Sequence, residues 1–225
     1  MKPILLLCVF VCLFSDTALA DSCQAGTLQD YLNLGSTGCT VDGELISGFE
    51  IAPGQSFATP ISPNFVQVTP SGGAGPTLAL TLNSSAGAGD LFELFFRFNV
   101  AGLLTGASIS LAPPDLSGDG AVTGVLDVCA NGSFSSLPVG CSGTAAEGVA
   151  FAIVGDSQLS DSVALPVSSF FDVFADITID GGLSGSASLT SAAVSVTTPE
   201  PSSLLLMTTA LGCLVLVSAR RRRRS

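Results

Sequence analysis

Phe171-Asp172-Val173-Phe174-Ala175-Asp176-Ile177-Thr178-Ile179-Asp180 alternates apolar and polar side chains over ten positions. Phe171, Val173, Ala175, Ile177 and Ile179 fall on one side. Asp172, Asp176, Thr178 and Asp180 fall on the other, with Phe174 the one apolar residue among them. A period of two is the signature of a strand with one buried face, because successive side chains point to opposite sides of the sheet. Leu91 to Val100 repeats the pattern: Phe92, Leu94, Phe96, Phe98 and Val100 share a face, opposite Glu93, Phe95, Arg97 and Asn99. Weaker strand patterns cover residues 45–51, 65–69, 77–82, 107–111, 122–128, 149–154 and 186–196. The last changes phase near Ser191, which predicts a bulge. Glycine-rich breaks at 71–75 and 181–182 separate neighbours. Eight or more short strands with turn signals between them predict an all-β fold, an antiparallel β-sandwich. Residues 27–34 fit a short helix or a strand equally well.

The predicted sandwich occupies residues 21–198, long enough to bury one sizeable core. It holds sixteen acidic residues against one basic residue, Arg97, leaving a net charge of −15. Such a field repels nucleic acid and anionic headgroups, which excludes nucleic acid as a partner. Ahead of it, Lys2 and the apolar run 4–14 lead to Ala18-Leu19-Ala20, the form of a signal peptide over residues 1–20 cut by signal peptidase between Ala20 and Asp21. Four cysteines remain in the exported part: Cys23, Cys39, Cys129 and Cys141. An even number in an oxidising compartment predicts two disulfides, and short loops close at least entropic cost. The expected pairs are therefore Cys23–Cys39 and Cys129–Cys141.

The other end, residues 199–225, reads as an address. Pro199-Glu200-Pro201 precedes eighteen uncharged residues, 202–219, followed by Arg220, Arg221, Arg222, Arg223 and Arg224. Eighteen residues in a helix span roughly 27 Å, close to one hydrocarbon thickness. In lipid the backbone has to satisfy its own hydrogen bonds, which predicts a single C-terminal transmembrane helix. Five guanidinium groups cannot cross cheaply, so they hold the terminus on the cytoplasmic side. The domain is thereby tethered outside the inner membrane.

That order of motif, span and arginine cluster resembles the PEP-CTERM sorting signal of Gram-negative bacteria, with Pro199, Glu200 and Pro201 matching its defining motif. The resemblance implies recognition by exosortase, a membrane-embedded cysteine protease, cleavage near the motif, and delivery to the cell surface or extracellular matrix. The segment Tyr31-Leu32-Asn33-Leu34-Gly35-Ser36-Thr37-Gly38-Cys39 is similar to the opening of a recurrent group of PEP-CTERM ectodomains. That group implies no activity.

Chemistry is sparse. The chain has no histidine, and its one lysine, Lys2, leaves with the signal peptide. Ser-His-Asp, Cys-His, Schiff-base and imidazole-metal arrangements are therefore excluded. A carboxylate pair for glycoside hydrolysis stays open in principle, although no spacing singles one out. Two acidic groups suit a hard cation: Asp115 and Asp119 in a glycine-bearing turn, and Asp172, Asp176 and Asp180 along one strand face. Each is read first as solvated surface and second as a calcium site. A carbohydrate platform has only Tyr31 to draw on, because the chain lacks tryptophan and its phenylalanines fall mostly at core positions. The sequence thus points to a non-enzymatic structural or adhesive protein of the surface or matrix, without a cofactor, in possible contact with exopolysaccharide. A calcium-dependent carbohydrate-binding module and a carboxylate glycosidase are the alternatives.

Overall fold

The computed structural model describes residues 20–52, 57–135 and 140–199. The expected signal peptide up to residue 19, and everything from Glu200 through the expected transmembrane helix and Arg220–Arg224, lie outside the described residues. Among the described residues, no helix is long and apolar enough to cross a membrane. The chain order is β1 (Gly26–Thr27), α1 (Leu28–Leu34), β2 (Cys39–Val41), β3 (Glu44–Ile51), β4 (Thr59–Pro60), β5 (Gln67–Ser71) and β6 (Thr77–Ala86). It continues with β7 (Leu91–Leu111), β8 (Asp115–Ser117), β9 (Ala121–Ala130), β10 (Thr144–Ile153), β11 (Asp156–Gln158), β12 (Ser160–Asp180) and β13 (Ser186–Thr197). Pairing is antiparallel throughout, apart from β4 on β7.

The strands form one continuous hydrogen-bonded sheet in the order β1-β5-β6-β13-β7-β12-β9-β10-β11. Its shape follows from β7 and β12, each 21 residues long. The early part of β7 pairs with β3 and with residues 170–180 of β12, while its late part pairs with β13 and residues 160–168 of β12. The shared strands therefore belong to two layers, and the layers face each other across one core. Gly124 of β9 illustrates the contact: a Cβ there would lie 3.0 Å from Ile109 Cδ1 and 3.1 Å from Leu111 Cδ2. Phe96, Phe98, Phe171, Leu80, Leu126 and Ile109 are all fully buried in that core. The expected alternation holds, with Phe171, Val173, Ala175, Ile177 and Ile179 buried on one face.

The strands are not all short, as the sequence reading expected. Residues 91–100 and 107–111 join into one strand, and Gly106 between them is paired with both Ala164 of β12 and Thr197 of β13. A Cβ at Gly106 would lie 2.5 Å from Val163 O, so glycine there admits a close neighbour. β12 begins eleven residues before the alternating stretch and bends around Pro166, where its register on β7 shifts twice between Ala164 and Phe170. Proline cannot donate to the ladder, so the irregularity sits where a donor is missing. The bulge expected near Ser191 is present as a register shift between Leu189 and Ser191.

Residues 28–34 form a helix, and the cause is local. Thr27 Oγ1 accepts the Asp30 amide at 3.1 Å, while Asp30 Oδ2 accepts the Thr27 amide at 2.7 Å. This reciprocal capping box satisfies two otherwise orphaned donors. Both expected disulfides are present, Cys23–Cys39 and Cys129–Cys141. They place the domain in an oxidising, extracytoplasmic compartment.

Candidate functional site

The outer face of the β3-β7-β12-β9-β10 layer carries most of the ectodomain's buried polar chemistry. Alternation sends Asp172 and Phe174 of β12 to this face, where the register sets Phe174 between Arg97 of β7 and Asp127 of β9. The loop after β9, closed by Cys129–Cys141, folds over them and brings Phe134 onto Phe174 with ring centroids 5.1 Å apart. Phe95, Ala52 and the disulfide complete a small second core. Asp172 has no solvent exposure at all. It accepts Arg97 Nε at 2.7 Å and the Phe134 amide at 2.9 Å, and its second oxygen meets Arg97 Nη2. Arg97 lies 5.4 Å from the Phe174 ring centroid. A buried carboxylate persists as an ion only when paired and hydrogen-bonded, and here both conditions are met. The bonds to Asp172 come first among the causes that raise the Arg97 pKa.

Beside this pair runs a ladder of carboxylates. Glu147 of β10 stands directly opposite Asp127 of β9, and Thr178 of β12 opposite Glu93 of β7. Asp176 stands on β12 between Phe95 and Val125, diagonal to both Glu93 and Asp127. Burial, then the charge of Glu147, pushes Asp127 up to about 6. Burial, then Glu93, pushes Asp176 up to about 6 despite a 3.3 Å bond from Thr178 Oγ1. Burial, and then like charges on neighbouring strands, disfavour ionisation, so Asp127 and Asp176 hold protons at a pH where isolated carboxyls do not.

The candidate calcium residues, read first as solvated surface, do not come together as a cluster. Asp172 is bridged by a cation, but that cation is Arg97. Asp180 Oδ1 accepts the Gly182 amide at 2.8 Å. Asp119 ties its turn to the next loop by accepting the amides of Leu183 at 2.8 Å and Ser184 at 2.9 Å, and these bonds lower its pKa. Asp115 is exposed on β8, opposite Ser188. Among the described residues, no group of three or more His, Cys, Asp or Glu is arranged to hold a metal ion. Tyr31 is 2% exposed, packed on Phe49 at 5.1 Å and donating to Gln24 O at 2.8 Å, so it offers no sugar platform. Among the described residues the exposed aromatics are instead Phe57 and Phe65, two exceptions to the mostly core-facing phenylalanines.

Both ends of the ectodomain leave from one pole. Thr40 of β2 donates its amide to Asp21 O at 2.8 Å and its hydroxyl to Ala20 O at 3.2 Å. Two residues on, at most about 7 Å along the chain, Asp42 Oδ2 accepts the Gly73 amide at 2.6 Å. Next to Gly73, Ala74 O accepts the amide of Thr198 at 2.9 Å. The expected signal-peptide junction and the start of the sorting motif at Pro199 therefore lie close together. The Asp42-Gly43 turn that connects them, with φ of +53° and +92°, is the kind that joins two antiparallel strands.

The fold and these features define an extracytoplasmic, disulfide-stapled, antiparallel all-β domain. No family model and no curated protein matches the chain. Among solved structures it is similar to the CBM22-1–GH10 modules of Clostridium thermocellum endo-1,4-β-D-xylanase 10B, complexed with xylohexaose, at 11% identity and a TM-score of 0.24. That match covers 60% of this chain and 25% of the other, so the chain spans a quarter of the structure it resembles. Likeness at this level carries no argument about function.

Proposed function

We propose that this chain is an exported β-sandwich protein of the bacterial surface or extracellular matrix, with a structural or adhesive role and no catalytic one. In this reading its 202–219 helix and Arg220–Arg224 hold it in the inner membrane until an exosortase cuts at Pro199-Glu200-Pro201. The observation that carries the reading is the last strand, which stays hydrogen-bonded through Thr198 and so delivers the chain directly into Pro199-Glu200-Pro201. Two disulfides, a buried carboxylate paired with Arg97 and a large apolar core suit a protein that works outside the cell without chaperones.

The test is truncation at Thr198 in a host that carries the processing protease. The truncated chain should appear free in the medium, while the full chain is cell- or matrix-associated and has a mature C-terminus near Glu200 by mass spectrometry. Identical delivery and size for both would end the reading. Pull-down on matrix polysaccharide, with and without calcium, separates the adhesive role from a calcium-dependent carbohydrate module.

A further inference from the structure

The last strand is bonded to its very end. Val196 donates to Pro76 O at 2.9 Å, Thr105 Oγ1 donates to Thr197 O at 3.2 Å, and Thr198 donates both its amide and its hydroxyl to Ala74 O. Gly75, at φ +146°, lies so close that a Cβ would sit 2.0 Å from Val196 O, so this approach requires glycine. Pro199 is therefore held in a fixed position on the domain. Beside it opens a hollow of about 380 Å³, bordered by Asp42, Glu44, Leu103 and Pro199. Glu44 Oε2 is buried without a hydrogen-bond partner, and Leu103 is 47% exposed. Burial, followed by the charge of Asp42, raises the Glu44 pKa.

Only Pro199, Glu200 and Pro201 separate this pole from the apolar segment that starts at Ser202. Three residues reach at most about 10 Å, comparable with the screening length at physiological salt. An enzyme seated in the membrane cannot approach Glu200 without meeting the pole, and the carboxylates there repel anionic headgroups at that range. A basic protein surface is the partner whose charge fits. Resting on the sorting reading above, we propose that this pole is a docking surface for the processing protease, which meets it with a cationic face. Asp42 and Glu44 supply the opposite charge, Leu103 supplies an apolar contact, and the Thr198–Ala74 bonds set the position of the cut.

The experiment uses the full chain in cells containing the protease and follows the processed fraction by pulse-chase and intact mass. A ten-residue Gly/Ser insert between Thr198 and Pro199 changes no residue of the domain but moves the pole away from the motif. It should slow processing at least several-fold, and the double variant Glu44→Gln/Leu103→Ser should slow it as well, with an unfolding midpoint no lower than wild type. Processing as fast as wild type, or faster, with the insert overturns the docking surface alone. A wild-type chain that keeps its tail overturns the docking surface together with the sorting reading.

Discussion

Arg97 and Asp172 pair across neighbouring strands, Nε to Oδ1 at 2.7 Å, so the one basic residue of the ectodomain neutralises a carboxylate with no access to water. Removing one partner strands the other charge in the interior. Arg97→Met should destabilise the domain by about 3–5 kcal/mol, whereas Arg97→Met combined with Asp172→Leu should cost much less. Urea unfolding of both variants checks this. Equal losses for the single and double variants would show that the pair is not coupled.

Stability should fall as pH rises through 6. Asp127 and Asp176 bind protons more tightly when folded than when unfolded, since each is raised to about 6. Between pH 4 and 6 the native state thus holds more protons, and unfolding free energy declines with increasing pH. The charges facing them are Glu93, Arg97, Glu147, Asp172 and Asp180, so the only nearby cation is already committed to Asp172. Both groups are only partly buried, so screening reduces the effect to about 1 kcal/mol each. Asp127→Asn should stabilise the domain at pH 7.5, and the gain should shrink as pH falls towards 4. Below pH 4 the trend reverses, because Asp30 and Asp119 have lowered pKa values and lose their amide bonds on protonation.

Calcium should leave the unfolding midpoint unchanged. At 1 mM, a site of about 10 μM affinity would add about 2.7 kcal/mol, an easily visible shift. Scans with calcium and with chelator should superimpose, given that Asp119, Asp172 and Asp180 already have protein partners. A rise in the midpoint with calcium would restore the calcium reading of these loops.

The Cys129–Cys141 bridge should contribute about 3 kcal/mol through its short loop. Cys129→Ala with Cys141→Ala should also release Phe134 from Phe174 and remove the amide that Asp172 accepts. Denaturant unfolding would show the loss. Faster proteolysis confined to the 131–140 loop, with the main core intact, would show that the second core depends on the bridge.

Much of this architecture was legible in the residues. Strict alternation at 171–180 marked the central strand, loop length selected both disulfides, and the phase change at Ser191 located a bulge. The helix at 28–34 stayed undecided because hydrophobic period was weighed without the Thr27–Asp30 cap, the local signal that settles it. Residues 91–100 and 107–111 read as two strands because the alternation lapses over 101–106, and pairing with distant strands carries the ladder across that stretch. The same limit hid the site. Asp172 and Arg97 are 75 positions apart, and the ladder of Glu93, Asp127, Glu147 and Asp176 is assembled from four strands. Register alone brings them together, and a single sequence does not carry register between distant strands.

The twelve residues of β13 act as a ruler. At about 3.3 Å per residue they separate Ser186 from Thr197 by up to roughly 36 Å. Leu183, 92% exposed at the far end, is thus lifted clear of whatever lies under Pro199. A molecule planted this way offers its surroundings a tip rather than a flank, and a lawn of such posts would meet its neighbours through their crowns.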